Sequence, residues 1–278
     1  MSAKLTGGGE MKRVFGIFIG LFLLAAAAYG EIVEINQMDQ VYNYLKPNTL
    51  VIFDIDNTII EPVQTLGSDQ WFGHRISHWS DQGLEPDEAV EKALSEWMAV
   101  QNITKVKLVE PETARIIKHL QDRGFTVMGL TTRGLGMSTR TNEQLKSVGV
   151  HLETTAPTKD DVFFMNERGV LMRGGTLFTA NTHKGEALFK FLDKINVEPK
   201  MILFINDKRS HIVPMKETAS KRGVPFIGLR YNYLDEKVKN LNAELTDIQF
   251  EHFGRILSDE EAAEILQEKR QEKAVCPN

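Results

Sequence analysis

The chain of 278 residues has a single cysteine, Cys276, third from its end. No disulfide can form within it, so the fold must rest on its core. Basic residues fall short of acidic ones, 33 Lys and Arg against 38 Asp and Glu, and form no cluster. The electrostatic footprint of a nucleic-acid binder is missing. No repeat, low-complexity tract or Gly/Ser linker interrupts the sequence, and 42% apolar with 26% charged residues is ordinary globular composition.

The start is skewed. After Met11-Lys12-Arg13, fifteen residues from Val14 to Ala28 carry no charge, followed by Ala28-Tyr29-Gly30 and Glu31. A basic n-region, a short apolar core and small residues at −3 and −1 are signal-peptide anatomy, with a cut expected after Gly30. A spanning helix needs about 20 apolar residues, so an uncleaved anchor is the weaker alternative, beside a buried N-terminal helix. Residues 1–10 fit neither an n-region nor a folded element, and translation from Met11 would suit the leader. Cleavage leaves 30 basic against 37 acidic residues over 248. The expected location is periplasmic or secreted, with no stable membrane span once the leader is gone.

Beyond the leader, short apolar runs alternate with amphipathic segments. Leu50–Phe53, Phe125–Leu130, Met201–Ile205 and Pro225–Leu229 are nearly all apolar, as parallel strands covered on both faces require. Helices are expected after Pro111, with Ile116, Ile117 and Leu120 at helical spacing and Gly124 past the stop, from Ser138 to Gly149, from Lys184 to Ile195 and from Ser210 to Gly223. The alternation predicts an α/β fold with a doubly wound, mainly parallel sheet. Two inserts interrupt it. Residues 61–109 carry Trp71, Phe72, Trp79 and Trp97 among helical segments and read as a small cap. Val162–Met165, a turn at Asn166–Gly169 and Val170–Met172 read as a β-hairpin at the sheet's edge. The core is assigned to 31–60 and 110–257, and 258–278 to a last helix, opened by a capping box at Ser258–Glu261, and a tail.

In open α/β sheets ligands bind at the carboxyl ends of the strands. The polar residues that follow each apolar run are Asp54, Asp56 and Thr58 in FDIDNT, Thr131, Thr132 and Arg133 in LTTR, and Asn206 and Asp207 in FIND; Lys184 opens a helix. Such a set suits a phosphoryl group and a divalent metal. Asp54 can attack phosphorus, and Asp56 can protonate the leaving oxygen and later activate water. Neither anion would approach a phosphate unaided, so Asp54, Asp207 and a carbonyl near Asp56 are expected to share Mg²⁺. Thr131 and the backbone after it can bond phosphoryl oxygens, and Lys184 supplies fixed positive charge. Thr58 and Thr132 are candidate substrate contacts; Arg133 either grips the phosphate or pairs with a carboxylate.

At these residues the chain resembles the haloacid dehalogenase-like (HAD) superfamily, over roughly Leu50 to Leu229. VIFDIDNT matches its first motif, Thr131 its second, Lys184 its third and Asn206-Asp207 its fourth. The resemblance implies a Rossmann-like core, Asp54 as nucleophile, Asp56 as acid/base, and Asp54, Asp207 and the Asp56 carbonyl as Mg²⁺ ligands. EPETARIIKHLQDRGFTVMGLTTRG and HKGEALFKFL are similar to a group of exported bacterial members related to secreted acid phosphatases. Asp56 favours phosphomonoester hydrolysis, or phosphotransfer of the same chemistry, on a small phosphorylated substrate. Asn206, where many members have a second Asp, could hold the metal or its water. It also motivates a third reading, a non-catalytic protein that binds a phosphorylated ligand or partner.

Other residues are expected to be structural. His74 and His78 lie four apart without a further ligand, so cap packing is favoured over zinc. His183 and His211 are expected near the rim, and Trp71 and Phe72 either line the cavity or fill the cap's core.

Overall fold

Leu50 and Ile52 pack on one side of their strand and Val51 and Phe53 on the other, and all four are buried. A strand apolar on both faces needs a layer of helix on each, which is the arrangement in the computed structural model, where residues 30–252 and 256–275 are described. The expected leader lies outside the described residues except for Gly30, as does Cys276.

The central strand is β2 (Thr49–Phe53). It lies between β9 (Met201–Asn206) and β5 (Thr126–Thr131), parallel to both. Beyond β9 come β10 (Phe226–Tyr231) and β1 (Glu31–Ile35), and beyond β5 comes β8 (Thr176–Phe178), all parallel. The strand order reverses at β2, and a doubly wound sheet binds its ligands at such a switch point. Val51, Phe53, Val127, Leu203 and Ile205 join Ile116, Ile117 and Leu120 of α3 (Thr113–Asp122) and Leu145 of α4 (Ser138–Ser147) in one core. Leu50, Ile52, Met128, Leu130, Ile202 and Phe204 face α5 (Lys184–Lys194) and α6 (Arg209–Lys221) in the other. The fold is therefore α/β, with a mainly parallel sheet between two helical layers.

The hairpin of β6 (Val162–Met165) and β7 (Gly169–Arg173) pairs antiparallel with β8 and continues the sheet at its edge. Gly175, between β7 and β8, has φ +80, and a Cβ there would lie 2.3 Å from the Leu152 carbonyl carbon. Only glycine suits that corner.

The cap comprises α1 (Asp69–Asp81) and α2 (Pro86–Ile103). Ser68 caps α1 by accepting from the Trp71 amide, and α2 starts with Pro86 and two acids in its first turn. The two passages between cap and core are zipped as an antiparallel pair, β3 (Ile60–Pro62) with β4 (Val106–Leu108). Leu66, Trp71, Trp97, Val100 and Met137 form the cap's own core.

After α7 (Asp235–Lys239), α8 (Ala243–Glu251) packs on α9 (Asp259–Val275) through Leu245, Ile248, Leu257 and Ala262. The pair belongs with the cap. Leu66 N donates to Gln249 Oε1 at 2.9 Å, Thr65 N to Asp259 Oδ1 at 3.0 Å, and the Phe250 ring lies tilted against Trp71, 5.3 Å between centroids. By packing, the C-terminal unit starts at Ala243, so the expected boundary before 258 cuts through it. The expected capping box is present, with Glu261 N donating to Ser258 Oγ and Ser258 N to Glu261 Oε2. Among the described residues no helix is long and apolar enough to cross a membrane.

Candidate active site

Asp54 leaves β2 at its carboxyl end, where its amide still donates to Ile205 O at 2.9 Å. The sheet thus places Asp54 between the ends of β9 and β5. A tight turn follows, in which the Ile59 and Ile60 amides both donate to Ile55 O, with all three isoleucines buried beneath it. Asn57 takes φ +57 in this turn, a conformation asparagine tolerates. The turn carries Asp56 into a more exposed position than Asp54.

Lys184 opens α5, and its Nζ donates to Asp54 Oδ1 at 2.7 Å. The side chains are 3% and 8% exposed. Burial pushes the Asp54 carboxyl above the usual range; the Lys184 charge and hydrogen bond oppose this, and Asp56 adds to it. A carboxylate is worth burying here only because an ammonium is buried with it.

Asp56 is held by Arg133, with Nε to Oδ2 at 2.9 Å and Nη2 to Oδ1 at 2.7 Å. Arg133 Nη1 donates to Thr141 Oγ1 and Gln144 Oε1 of α4, and Nη2 reaches Gln101 Oε1 of α2 at 3.5 Å. Trp97 lies 5.1 Å beneath the guanidinium. All five donors are spent. Of the two expected roles for Arg133 the structure therefore supplies the carboxylate pair, and a phosphate would have to displace an existing partner.

Asp207 follows β9, and its amide donates to Thr58 Oγ1 at 3.2 Å. Thr58 is fully buried, so its hydroxyl joins two loops and is not presented to substrate. The Asn206 amide oxygen, the atom expected to reach a metal, accepts from Lys208 N at 2.7 Å, and its nitrogen faces His211 Nδ1 at 3.5 Å. Asn206 therefore shapes the turn that presents Asp207. Lys208 pairs across to Asp69 on the cap at 2.6 Å.

Three cations, Lys184, Arg133 and Lys208, are each matched to a carboxylate, and Asp207 has no ion-pair partner among the described residues. Burial, then the Asp54 charge, push its carboxyl up to about 8. Two carboxylates near enough for one charge to raise the other, one of them without an ion-pair partner, are hard oxygen donors of the kind Mg²⁺ prefers. They fit that ion, although the described residues hold no cluster of three or more His, Cys, Asp or Glu side chains arranged for a metal.

Thr131 Oγ1 accepts from Arg133 N at 3.1 Å, which leaves its hydroxyl proton free to donate. Thr132 lines two adjoining cavities with Asn181. One, of about 210 Å³, lies under the cap beside Asp56 and Arg133; the other, of about 300 Å³, lies beside His183, Lys184 and His211. Ala180 and Asn181, ahead of Lys184, both take positive φ, 49 and 61. Backbone strain of this kind concentrates at functional sites. His211 is held neutral by burial and by Lys184 and Lys208, its pKa lowered to about 3.

The remaining candidates divide. Phe72 lines the smaller cavity, whereas Trp71 is fully buried. His74 pairs with Asp247 at 3.2 Å, and His78 packs edge-on against Trp79. Asp69, Gln101, Thr141 and Gln144 were not singled out from the sequence. Gln101, Thr141 and Gln144 were detectable only as polar residues on apolar helix faces, and Asp69 as the first residue of α1.

A buried carboxylate–ammonium pair among further carboxylates, at the switch point of a doubly wound sheet beneath a helical cap, defines the class of α/β protein. The chain belongs to a family described as "Protein of unknown function (DUF2608)", whose model matches residues 34–263. A Chlamydia pneumoniae protein named "Putative outer membrane protein" is 25% identical over 248 residues, covering 89% of this chain and 94% of its own. An uncharacterized Rickettsia prowazekii protein is 27% identical over 275 residues, covering 92% and 99%. Among solved structures, a haloacid dehalogenase-like hydrolase from Streptococcus pneumoniae has a TM-score of 0.41 at 14% identity, covering 69% of this chain and 98% of its own. A phospho-aspartyl intermediate analogue of phosphoserine phosphatase has 0.34 at 16%, covering 71% and 100%.

Proposed function

We propose that the protein is an exported, Mg²⁺-dependent phosphomonoester hydrolase that works through an aspartyl phosphate at Asp54. The observation that carries this reading is the buried Asp54–Lys184 pair, with Asp56 two residues on and Asp207 facing the nucleophile without a cation of its own. Asp54 Oδ forms a bond to phosphorus as the ester P–O bond breaks, and Asp56 gives a proton to the departing oxygen. Asp56 then takes a proton from water as that water attacks phosphorus; inorganic phosphate leaves and the Asp54 carboxylate is restored. Lys184 and the Thr131 hydroxyl meet the phosphoryl oxygens, and Arg133 fixes the direction in which Asp56 delivers its proton. Asp54, Asp207 and the Asp56 carbonyl would hold Mg²⁺, which supplies positive charge against those oxygens.

The reading as a ligand-binding protein without turnover rested on Asn206. Its hydrogen bond from the Lys208 amide supports assigning Asn206 to the turn instead. Export is supported by the leader pattern and by the outer-membrane names of the chlamydial relatives.

Phosphate release from a panel of phosphomonoesters with Mg²⁺ tests the proposal. Turnover by the wild type and its loss in Asp54→Asn is the expected outcome. If the two proteins release phosphate at the same rate across the panel, the hydrolase reading is wrong.

A further inference from the structure

The smaller cavity has an unusual lining for a site built on carboxylates. Phe72 and Ile76, four apart on α1, and Val90, Leu94 and Trp97, on one face of α2, turn apolar side chains into it. Trp97 is buried and the other four are only half-buried, so the cap leaves apolar surface open directly above Asp56, where a leaving group would sit. An alcohol of sugar or glycerol type would leave its hydroxyls unpaired against that wall. The volume, about 210 Å³, compares with about 150 Å³ for a cavity that holds benzene. One six-membered ring with a substituent fits.

The cavity also has one uncommitted charge. Asp56 is paired with Arg133 and Asp69 with Lys208. Arg168, at the turn between β6 and β7, lines the same cavity, and its guanidinium has no hydrogen-bond or ion-pair partner among the described residues.

We infer that the site takes an aryl phosphomonoester of one ring whose far side carries a second anionic group, with the ring against the cap and the anion met by Arg168. The inference rests on the hydrolase reading for the direction in which the ester lies. The wall supplies affinity through apolar contact, and remote contacts of this kind raise kcat as well as lowering KM when they hold the ester in its reacting pose. Because Arg168 is exposed, its contribution is that of a surface ion pair.

The test has two arms, both on the full protein with Mg²⁺. In the first, kcat/KM is measured for phenyl phosphate, 4-carboxyphenyl phosphate and glycerol 1-phosphate. Phenyl phosphate is expected to exceed glycerol phosphate by about tenfold or more, and the carboxylate to add about threefold. Arg168→Ala is expected to equalise the two aryl esters, and Arg168→Lys to keep part of the preference. In the second arm, calorimetry reads binding of benzylphosphonate, 4-carboxybenzylphosphonate and methylphosphonate, none of which needs turnover. Equal handling of aryl and glycerol or methyl compounds overturns the ring assignment. A carboxylate preference that is absent, or that survives Arg168→Ala, overturns the anion assignment. Selective binding without hydrolysis of any ester refutes the hydrolase reading while sustaining the cavity's selectivity, and failure to bind any phosphonate overturns the inference.

Discussion

Replacing Lys184 with Met tests the energetic logic of the site without reference to substrate. Methionine keeps most of the lysine stem, including its position near the Phe204 ring, 5.7 Å from Nζ, so what is lost is the charge and its hydrogen bond to Asp54 at 2.7 Å. With both side chains less than a tenth exposed, removing one partner leaves a buried carboxylate uncompensated, which costs about 3–5 kcal/mol. At about 2–4 °C per kcal/mol for a domain of this size, Tm should fall by roughly 6–20 °C. The pair replaced together, Lys184→Met with Asp54→Asn, leaves no net charge and should recover most of that loss, a coupling of about 2–3 kcal/mol. Urea unfolding of the four proteins in EDTA at pH 7.5 measures it. The sign with pH is a second check. In Lys184→Met the Asp54 carboxyl is raised by burial, the largest influence on it, and only the Ile55 backbone hydrogen bond still opposes this, so the folded state holds a proton that the unfolded state releases. Stability of the variant is then greatest at low pH and declines as pH rises, and its deficit against wild type should be smaller at pH 5 than at pH 8. Single-variant losses that simply add, within about 0.5 kcal/mol, would refute the coupling.

Mg²⁺ at 100 times its dissociation constant should stabilise the protein by about 2.7 kcal/mol, seen as a rise in Tm. Asp207→Asn should abolish that rise, and a variant that responds like wild type would remove Asp207 from the metal. Gly175→Ala should cost more than about 2 kcal/mol, because its φ is +80 and the new Cβ would meet the Leu152 backbone at 2.3 Å; a Tm within a degree of wild type would contradict that geometry. Tyr231 is held protonated well above its ordinary range by burial and by Glu110, to which its hydroxyl donates. Above about pH 10 the unfolded chain loses this proton and the folded chain keeps it, so stability falls as pH rises. Tyr231→Phe should be less stable at pH 7 by about 1–2 kcal/mol, with the deficit narrowing above pH 10; parallel stability curves for the two proteins would exclude Tyr231 as the source.

What could be read from the sequence was whatever depends on local order. Leu50–Phe53 is apolar at every position, and a strand with both faces apolar has to be interior; the next residue, Asp54, is then fixed at the sheet's carboxyl edge by the chain itself. Lys184 was legible as the first residue of a helix. The partners of Arg133 were not, since Gln101 is 32 residues away and Asp56 is 77, and no spacing rule connects them. Thr58 lies 149 residues before the Asp207 amide it caps, so its hydroxyl read as free for substrate. Strands β1 and β8 escaped notice for opposite reasons. Glu31–Ile35 carries two glutamates because it is an edge, and Thr176–Phe178 is only three residues long. Trp71 and Phe72 are adjacent, so a helix must send them to different sides, yet periodicity does not say which side is core. That was decided by α8, whose Phe250 lies against Trp71.

The same long-range contacts explain how so acidic a site could act on an anion. Asp54, Asp56, Asp69 and Asp207 outnumber Lys184, Arg133 and Lys208, and each cation is already spoken for by one carboxylate. With Asp207 ionised, above the value of about 8 to which its carboxyl is pushed, a phosphate dianion meets excess negative charge, and a divalent ion would offset it. Pairing Arg133 with Asp56 and Lys208 with Asp69 uses up charge that could have bound phosphate, but it fixes Asp56 to α4 and the cap to the core. Arg140 adds to this, donating to the Gln101 and Thr104 carbonyls at the end of α2, while Gln249 and Asp259 hold the other side of the cap. The apolar wall formed by Phe72, Leu94 and Trp97 is therefore braced from both sides. A wall so held is preorganised, and on the hydrolase reading proposed above its contacts, made without ordering cost, would go into discriminating one leaving group from another.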